Sequence, residues 1–124
     1  DAVSFANKSN IDAMAISVGN THLQTSKKAS IDFNKINLIE SKTKIPLVLH
    51  GSSGIPVEQR KKLARKTKVA KLNIGTEIRM TFGEALRKNL KNNPKTYDRL
   101  QLLKPTIKDL TKVTKKIIKQ IGPN

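Results

Sequence analysis

The apolar residues of this chain form short stretches that alternate between the two periods of regular secondary structure. Some stretches are brief and almost continuously apolar, which predicts buried strands of a parallel sheet, the first running on into a loop: residues 11–22, 45–49 and 69–74. Others carry apolar side chains at helical spacing: residues 1–9, 31–43, 56–66, 76–92 and 105–120. Because strands and helices alternate through short loops, the pattern predicts an α/β fold with right-handed βαβ crossovers.

The edges of the predicted sheet are exposed and apolar. Natural proteins avoid such edges because an unpaired apolar strand invites aggregation. We therefore expect the neighbouring strands to come from more chain or from another subunit. The chain also begins at Asp1 rather than at Met, which suggests that it was cut from something longer. Within it, residues 1–92 are predicted to hold the βα units and residues 93–124 a helical tail.

Composition restricts the chemistry and the partners. The chain has no cysteine, so disulfides and thiolate metal sites are excluded. A net charge of +16 favours anionic partners such as phosphorylated small molecules, nucleic acid or an anionic membrane surface. Aromatic residues make up 3% of the chain, which counts against a single-strand nucleic-acid surface because such surfaces stack bases on aromatic rings. No apolar stretch is long enough to cross a bilayer.

Polar residues follow the three predicted strands. His22 comes just after the first strand, His50 ends the second, and Asn73 closes the third. The carboxyl-terminal ends of neighbouring parallel strands lie at the same end of the sheet, and the functional residues of α/β folds are usually found there. A lone histidine there is usually structural, but these are the only two in the chain. Neutral imidazole is a common zinc ligand, so a metal-binding or an acid–base role is predicted.

Two loops beside these residues suit an anion. The first, G-S-S-G at residues 51–54, lets backbone N–H groups approach a phosphate closely, with hydroxyls to assist. The second, N-I-G-T at residues 73–76, lies at a helix N-terminus, where N–H groups favour negative charge. Neither matches the nucleotide P-loop pattern. Together with the histidines, the loops indicate a metal-assisted reaction on a phosphate ester.

Four segments carry a family resemblance: I-D-A-M-A-I-S-V-G-N-T-H, I-P-L-V-L-H-G-S-S-G-I-P, K-L-N-I-G-T-E-I-R-M-T-F-G-E-A-L-R and K-N-N-P-K-T-Y-D. They extend over nearly the whole chain. The sequence resembles the C-terminal half of the class II, zinc-dependent fructose-bisphosphate and tagatose-bisphosphate aldolases, which are TIM barrels. The resemblance therefore implies about three parallel strands of a (β/α)8 barrel followed by a helical tail.

The resemblance also implies roles. His22 and His50 match two of the three zinc histidines. Two sets of residues match the loops that bind the phosphate of dihydroxyacetone phosphate: Gly51, Ser52 and Ser53, and then Asn73, Ile74, Gly75 and Thr76. The reaction would be reversible cleavage of fructose or tagatose 1,6-bisphosphate to dihydroxyacetone phosphate and glyceraldehyde 3-phosphate. The implied setting is a cytoplasmic, glycolytic homo-oligomer that uses Zn²⁺.

Some family features differ or are absent. Leu23 stands where the family usually has Gly, and Ser52 replaces a common Gly or Ala. No D-H pair occurs in the chain, so the catalytic Asp and the third zinc histidine are expected in an N-terminal half. We therefore expect a fragment that is inactive alone. The alternatives are a stand-alone half-barrel acting as an assembly subunit and, less favoured, a basic nucleic-acid-binding module.

Overall fold

The computed structural model describes residues 1–20, 22–23 and 25–122. The chain divides into two compact units, Asp1–Gly75 and Thr76–Asn124. The first holds the strands and the second is helical. The sequence-based division at residue 92, which separates barrel units from a tail, stays a prediction.

The first unit is an α/β arrangement around three parallel strands in the order β1-β2-β3. Its elements follow in chain order: α1 Ala2–Lys8, β1 Met14–Ile16, α2 Phe33–Glu40, β2 Leu47–Leu49, a 3-10 turn Ser52–Gly54, α3 Val57–Lys66 and β3 Val69–Leu72. The predicted alternation of strands and helices is thus confirmed. The strands are shorter than the apolar stretches that predicted them, because the outer residues of each stretch belong to loops.

The central strand is the most buried. All three residues of β2 are buried, whereas β1 buries Met14 and Ile16 and exposes Ala15. The sequence predicted cover on both faces for β1 as well. Ala15 is exposed, so this prediction is wrong for one face of β1 in the part of the chain described. The sheet register shifts once, between Leu47 and Val48 where β2 pairs with β3.

The core of the first unit lies between the sheet and its helices. Apolar side chains from every strand and from α1, α2 and α3 form one buried cluster, in which Ile36, Leu47, Leu49, Ile55 and Leu63 are fully enclosed. Ala6 represents α1 in this cluster. Phe5 of the same helix is 56% exposed.

Up to residue 122, the second unit holds three helices: α4 Thr76–Asn92, α5 Arg99–Leu103 and α6 Thr106–Ile121. The sequence predicted α4 and α6 but not the five-residue α5. Asp98 caps α5 by accepting hydrogen bonds from the N–H groups of Leu100 and Gln101. The Asn89 amide of α4 donates to the Leu102 carbonyl at 2.6 Å, which joins α4 to α5.

The last helix is amphipathic, as predicted. Ile117 is buried, whereas the lysines of α6 are exposed: Lys108, Lys112, Lys115, Lys116 and Lys119. Across the described ranges, none of the helices has the length and apolar character needed to span a membrane.

Candidate functional site

The two histidines lie next to each other at the carboxyl ends of β1 and β2. Their ring centroids are 5.5 Å apart and the ring planes are inclined at 45°. His50 follows β2 directly and is half-buried, whereas His22 lies in the loop after β1 and is exposed. Neighbouring parallel strands therefore bring together two imidazoles that are 28 positions apart in the sequence.

Asn73 completes the group from the end of β3. Its Nδ2 atom lies 3.2 Å from Nδ1 and 3.3 Å from Nε2 of His50. The backbone fixes this placement, because the Asn73 N–H donates to the Leu49 carbonyl at 2.8 Å. The Asn73 carbonyl in turn accepts from the Ser52 N–H at 3.1 Å. The three predicted strand-end residues thus lie together at the carboxyl-terminal end of the sheet.

The separation of the imidazoles suits a shared zinc ion. A Zn–N bond of about 2.0–2.1 Å places the ion roughly 3 Å from each ring centroid, so tetrahedral coordination separates the centroids by roughly 5 Å. The observed separation is 5.5 Å. Among the residues that the structure describes, no group of three or more His, Cys, Asp or Glu side chains could hold a metal. The described residues therefore offer two imidazoles, with the Asn73 amide beside that of His50.

Asn20 links the two histidine-bearing strand ends, and sequence reasoning did not identify it. Its Oδ1 accepts from the Val18 N–H at 2.8 Å, and its Nδ2 donates to the His50 carbonyl at 2.9 Å. One side chain therefore closes the turn after β1 and fixes the backbone of His50. The available signal was its position in V-G-N-T-H, between the strand and the first histidine.

The loop that carries His22 depends on two unusual backbone conformations. Gly19 has φ +94°, and a Cβ there would lie 2.0 Å from the Ser30 carbonyl oxygen, so only glycine fits. Leu23 has φ 56°, in the left-handed region that favours glycine. Leu23, which stands where the resembled family usually has Gly, thus occupies a position whose backbone conformation suits glycine.

The first predicted phosphate loop is a tight 3-10 turn. Gly51 begins it with φ 65°. The Gly54 N–H donates to the Gly51 carbonyl and the Ile55 N–H to the Ser52 carbonyl. The Ser52 hydroxyl is buried and donates to the Leu49 carbonyl at 3.1 Å. Both the hydroxyl and the amide of Ser52 are therefore used inside the protein.

Arg60 of α3 lies beneath the same loop. The sequence pattern did not predict a role for this residue either. Its side chain is fully buried, and Nη2 lies 3.1 Å from the Ser52 carbonyl oxygen, 3.4 Å from that of Ser53 and 3.5 Å from that of Ile55. In the sequence Arg60 is one cation among many on a basic helix. Only its burial distinguishes it.

The second predicted loop continues from Asn73. Ile74 and Gly75 are half-buried and end the first unit. Thr76 is the first residue of α4, with Glu77 in the same turn. Thr76 therefore belongs to a helix N-terminus, as the sequence predicted.

Comparison with known proteins places this arrangement in context. A family model described as "Fructose-bisphosphate aldolase class-II" matches residues 1–124. The 6-phospho-5-dehydro-2-deoxy-D-gluconate aldolase of Shouchella clausii (strain KSM-K16) is 34% identical over 118 residues, which are 95% of this chain and 40% of that protein. The sulfofructosephosphate aldolase of Alkalicoccus urumqiensis is 35% identical over 97 residues, 78% of this chain and 33% of that protein.

A solved structure shows the same fold. The YdjI aldolase from Escherichia coli K12 superposes with a TM-score of 0.74 at 26% identity, over 98% of this chain and 43% of that one. The predicted fold class, part of an aldolase barrel, is thereby confirmed. The chain spans less than half the length of each of these relatives.

Proposed function

Because this chain belongs to the class II fructose-bisphosphate aldolase family, we propose that it carries part of the catalytic site of an aldolase. In this proposal His22 and His50 supply two ligands of a Zn²⁺ ion. The backbone of the loops at residues 51–53 and 73–76 binds the phosphate of dihydroxyacetone phosphate. The observation that carries the proposal is the 5.5 Å separation of the imidazoles.

The chemistry of the site fits this role. When bound, a zinc ion polarises a substrate carbonyl oxygen, which stabilises the negative charge that develops as a carbon–carbon bond breaks. His22 and His50 would each offer one unprotonated ring nitrogen. The Asn73 amide lies beside the His50 ring and would turn toward the same oxygen to hydrogen-bond and orient it.

The substrate class follows from the loops and the relatives. Backbone N–H groups of Gly51 and Ser53 would bind a phosphate dianion, and the basic chain would attract it. Both curated relatives bear names that specify phosphorylated sugar derivatives. We therefore propose aldol cleavage of a phosphorylated ketose, with fructose 1,6-bisphosphate or tagatose 1,6-bisphosphate as the first substrates to try.

The chain does not supply every group that this reaction needs. Its sequence contains no further histidine that could be a third zinc ligand. An aldol cleavage also requires an acid–base group to move the proton of the substrate hydroxyl. We propose that both come from a portion of the barrel that this chain does not span, and that the chain alone has no aldolase activity.

Zinc binding tests the proposal directly. Isothermal titration calorimetry should show one zinc bound per chain, and His22→Ala and His50→Ala should each weaken binding at least about tenfold, since loss of a ligand costs at least as much as loss of its supporting group. Asp12→Asn is the matched control, because Asp12 is an exposed carboxylate just before β1. Zinc affinity that is unchanged in both histidine variants would contradict the proposal.

A second role is favoured by the exposed edge of β1. The Met14 N–H donates to the Pro46 carbonyl beside β2, so the Ala15 N–H points to the opposite edge, which no strand pairs within residues 1–20, 22–23 and 25–122. A groove of about 1140 Å³ lies along that edge, lined mainly by apolar residues of α1, β1 and α2. Phe5 and Leu38 line it and are more than half exposed. We propose that this edge binds a further parallel strand from the rest of an aldolase barrel.

Assembly with a complementary polypeptide tests this second role. Mixing this chain with the segment of the Shouchella clausii relative that lies outside the matched region should give a 1:1 complex by light scattering. Ala15→Pro should abolish the complex and leave the chain folded, because proline is tolerated at an unpaired edge but removes its N–H. Phe5→Ser, which changes only the groove wall, should weaken the complex. A chain that stays uncomplexed in the mixture would contradict the role.

A further inference from the structure

Arg60 is a buried cation that faces the phosphate loop from inside the protein. Its exposure is 0%, although arginine is almost never fully enclosed unless its donors are satisfied. Its Nη2 atom lies within hydrogen-bond distance of three loop carbonyls, those of Ser52, Ser53 and Ile55. The guanidinium is therefore a shared anchor on the inner side of the loop.

The Ser52 carbonyl accepts from Arg60 Nη2 and also from the Ile55 N–H, and these two bonds together fix the direction of the Ser52–Ser53 peptide. In a trans peptide the carbonyl of one residue and the N–H of the next point in opposite directions. Because the Ser52 carbonyl turns inward to Arg60, the N–H of Ser53 turns to the opposite side of the loop. The left-handed conformation of Gly51, φ 65°, begins the same turn.

We propose that Arg60 is a positioning residue for phosphate binding, which holds the Ser52–Ser53 peptide so that the Ser53 N–H faces the anion. This inference rests on the proposed function of the loop. Arg60 also places a positive charge behind the amides in a region of low dielectric, where its attraction for a phosphate dianion is weakly screened. The orientation of the Ser53 N–H and the charge of Arg60 would therefore both strengthen phosphate binding.

A purely structural role makes a different prediction. Arg60→Met keeps most of the side-chain volume but removes the guanidinium donor from the three carbonyls, of which that of Ser52 still accepts from the Ile55 N–H. A structural role would lower stability and leave phosphate affinity unchanged. A positioning role lowers phosphate affinity whatever happens to stability.

Inorganic phosphate is the probe, titrated at constant ionic strength while the amide signals of Gly51 and Ser53 are followed by ¹H–¹⁵N NMR. Arg60→Met should weaken binding at least about tenfold, the loss of one good hydrogen-bonding interaction. Arg60→Lys keeps a charged donor and should stay within about threefold of the original chain. Lys66→Met is the matched control, because Lys66 is an exposed cation of α3, and it should leave affinity within about twofold.

The outcomes separate the two proposals. If phosphate shifts neither amide in the unmodified chain, the proposed phosphate site is wrong and this inference falls with it. If the unmodified chain binds phosphate and Arg60→Met binds it equally well, only the role of Arg60 is overturned. Should Arg60→Met fail to fold, Arg60→Lys decides, since a folded lysine variant that loses more than about tenfold contradicts the donor role.

Discussion

Asn20 offers the sharpest test of how the site is held together. Its side chain makes three hydrogen bonds between neutral groups. It accepts from Val18 N–H at 2.8 Å, and it donates to the His50 carbonyl at 2.9 Å and, more weakly, to the Ile16 carbonyl at 3.5 Å. A bond of this kind contributes about 0.5–1.5 kcal/mol net. Asn20 is half-buried, so water replaces part of the loss in Asn20→Ala. We expect the free energy of unfolding to fall by about 1–2 kcal/mol.

The aspartate variant isolates the bond to His50. Asn20→Asp keeps an oxygen that accepts from Val18 N–H but places a second oxygen opposite the His50 carbonyl, where two acceptors repel. We expect it to be at least as unstable as Asn20→Ala when high salt screens its long-range attraction to the basic chain. In Asn20→Ala the histidines should also bind zinc more weakly, because the backbone of His50 loses its support.

Urea unfolding followed through the amide signals of β1 and β2 measures these losses in the first unit alone. Asn10→Ala is the control, since Asn10 is exposed and lies outside the helices and strands. It should change stability by less than about 0.5 kcal/mol. If Asn20→Ala costs no more than this control, the bonds of Asn20 do not support the site and the reasoning is refuted.

Two further predictions concern the backbone of the loop that carries His22. Gly19→Ala places a Cβ 2.0 Å from the Ser30 carbonyl oxygen at φ +94°, so it should cost at least about 3 kcal/mol in urea unfolding, and a loss below about 1 kcal/mol would contradict the observed turn. Leu23→Gly removes a leucine that is 73% exposed and holds a left-handed backbone conformation, so it should raise the free energy of unfolding by up to about 1 kcal/mol. Leu23→Val should lower it, because a β-branched residue fits that conformation poorly. The opposite order of the two variants in urea unfolding would count against the φ of 56°.

The sequence predicted the sheet well because its strands are apolar and bounded by loop residues. Residues 45–49 predicted β2, and the burial of all three of its residues agrees with the continuous apolar pattern. The strand predicted for β1 was too long. The apolar stretch continues past Ile16, but backbone pairing with β2 ends at that residue. The short helix α5 was not predicted, because five residues are too few to show a helical period of apolar positions. Asp98, which caps it, is a residue typical of helix N-termini.

The strand-end residues of the candidate site were predictable for a topological reason. His22, His50 and Asn73 follow successive strands, and parallel pairing brings such positions to one edge. The supporting residues were not predictable, because their partners are chosen by tertiary structure. Asn20 bonds a carbonyl 30 positions away, and Arg60 turns inward from a helix whose other cations face solvent. Likewise, no local pattern shows that the Ser52 hydroxyl bonds the Leu49 carbonyl.

Zinc titration of the chain labelled with ¹⁵N in both imidazoles tests the central claim, that His22 and His50 grip one ion. The 5.5 Å separation of their rings predicts that one nitrogen of each shifts together, with a single midpoint and saturation at one zinc per chain. Rings that respond at different midpoints, or a response from only one of them, would contradict a shared site.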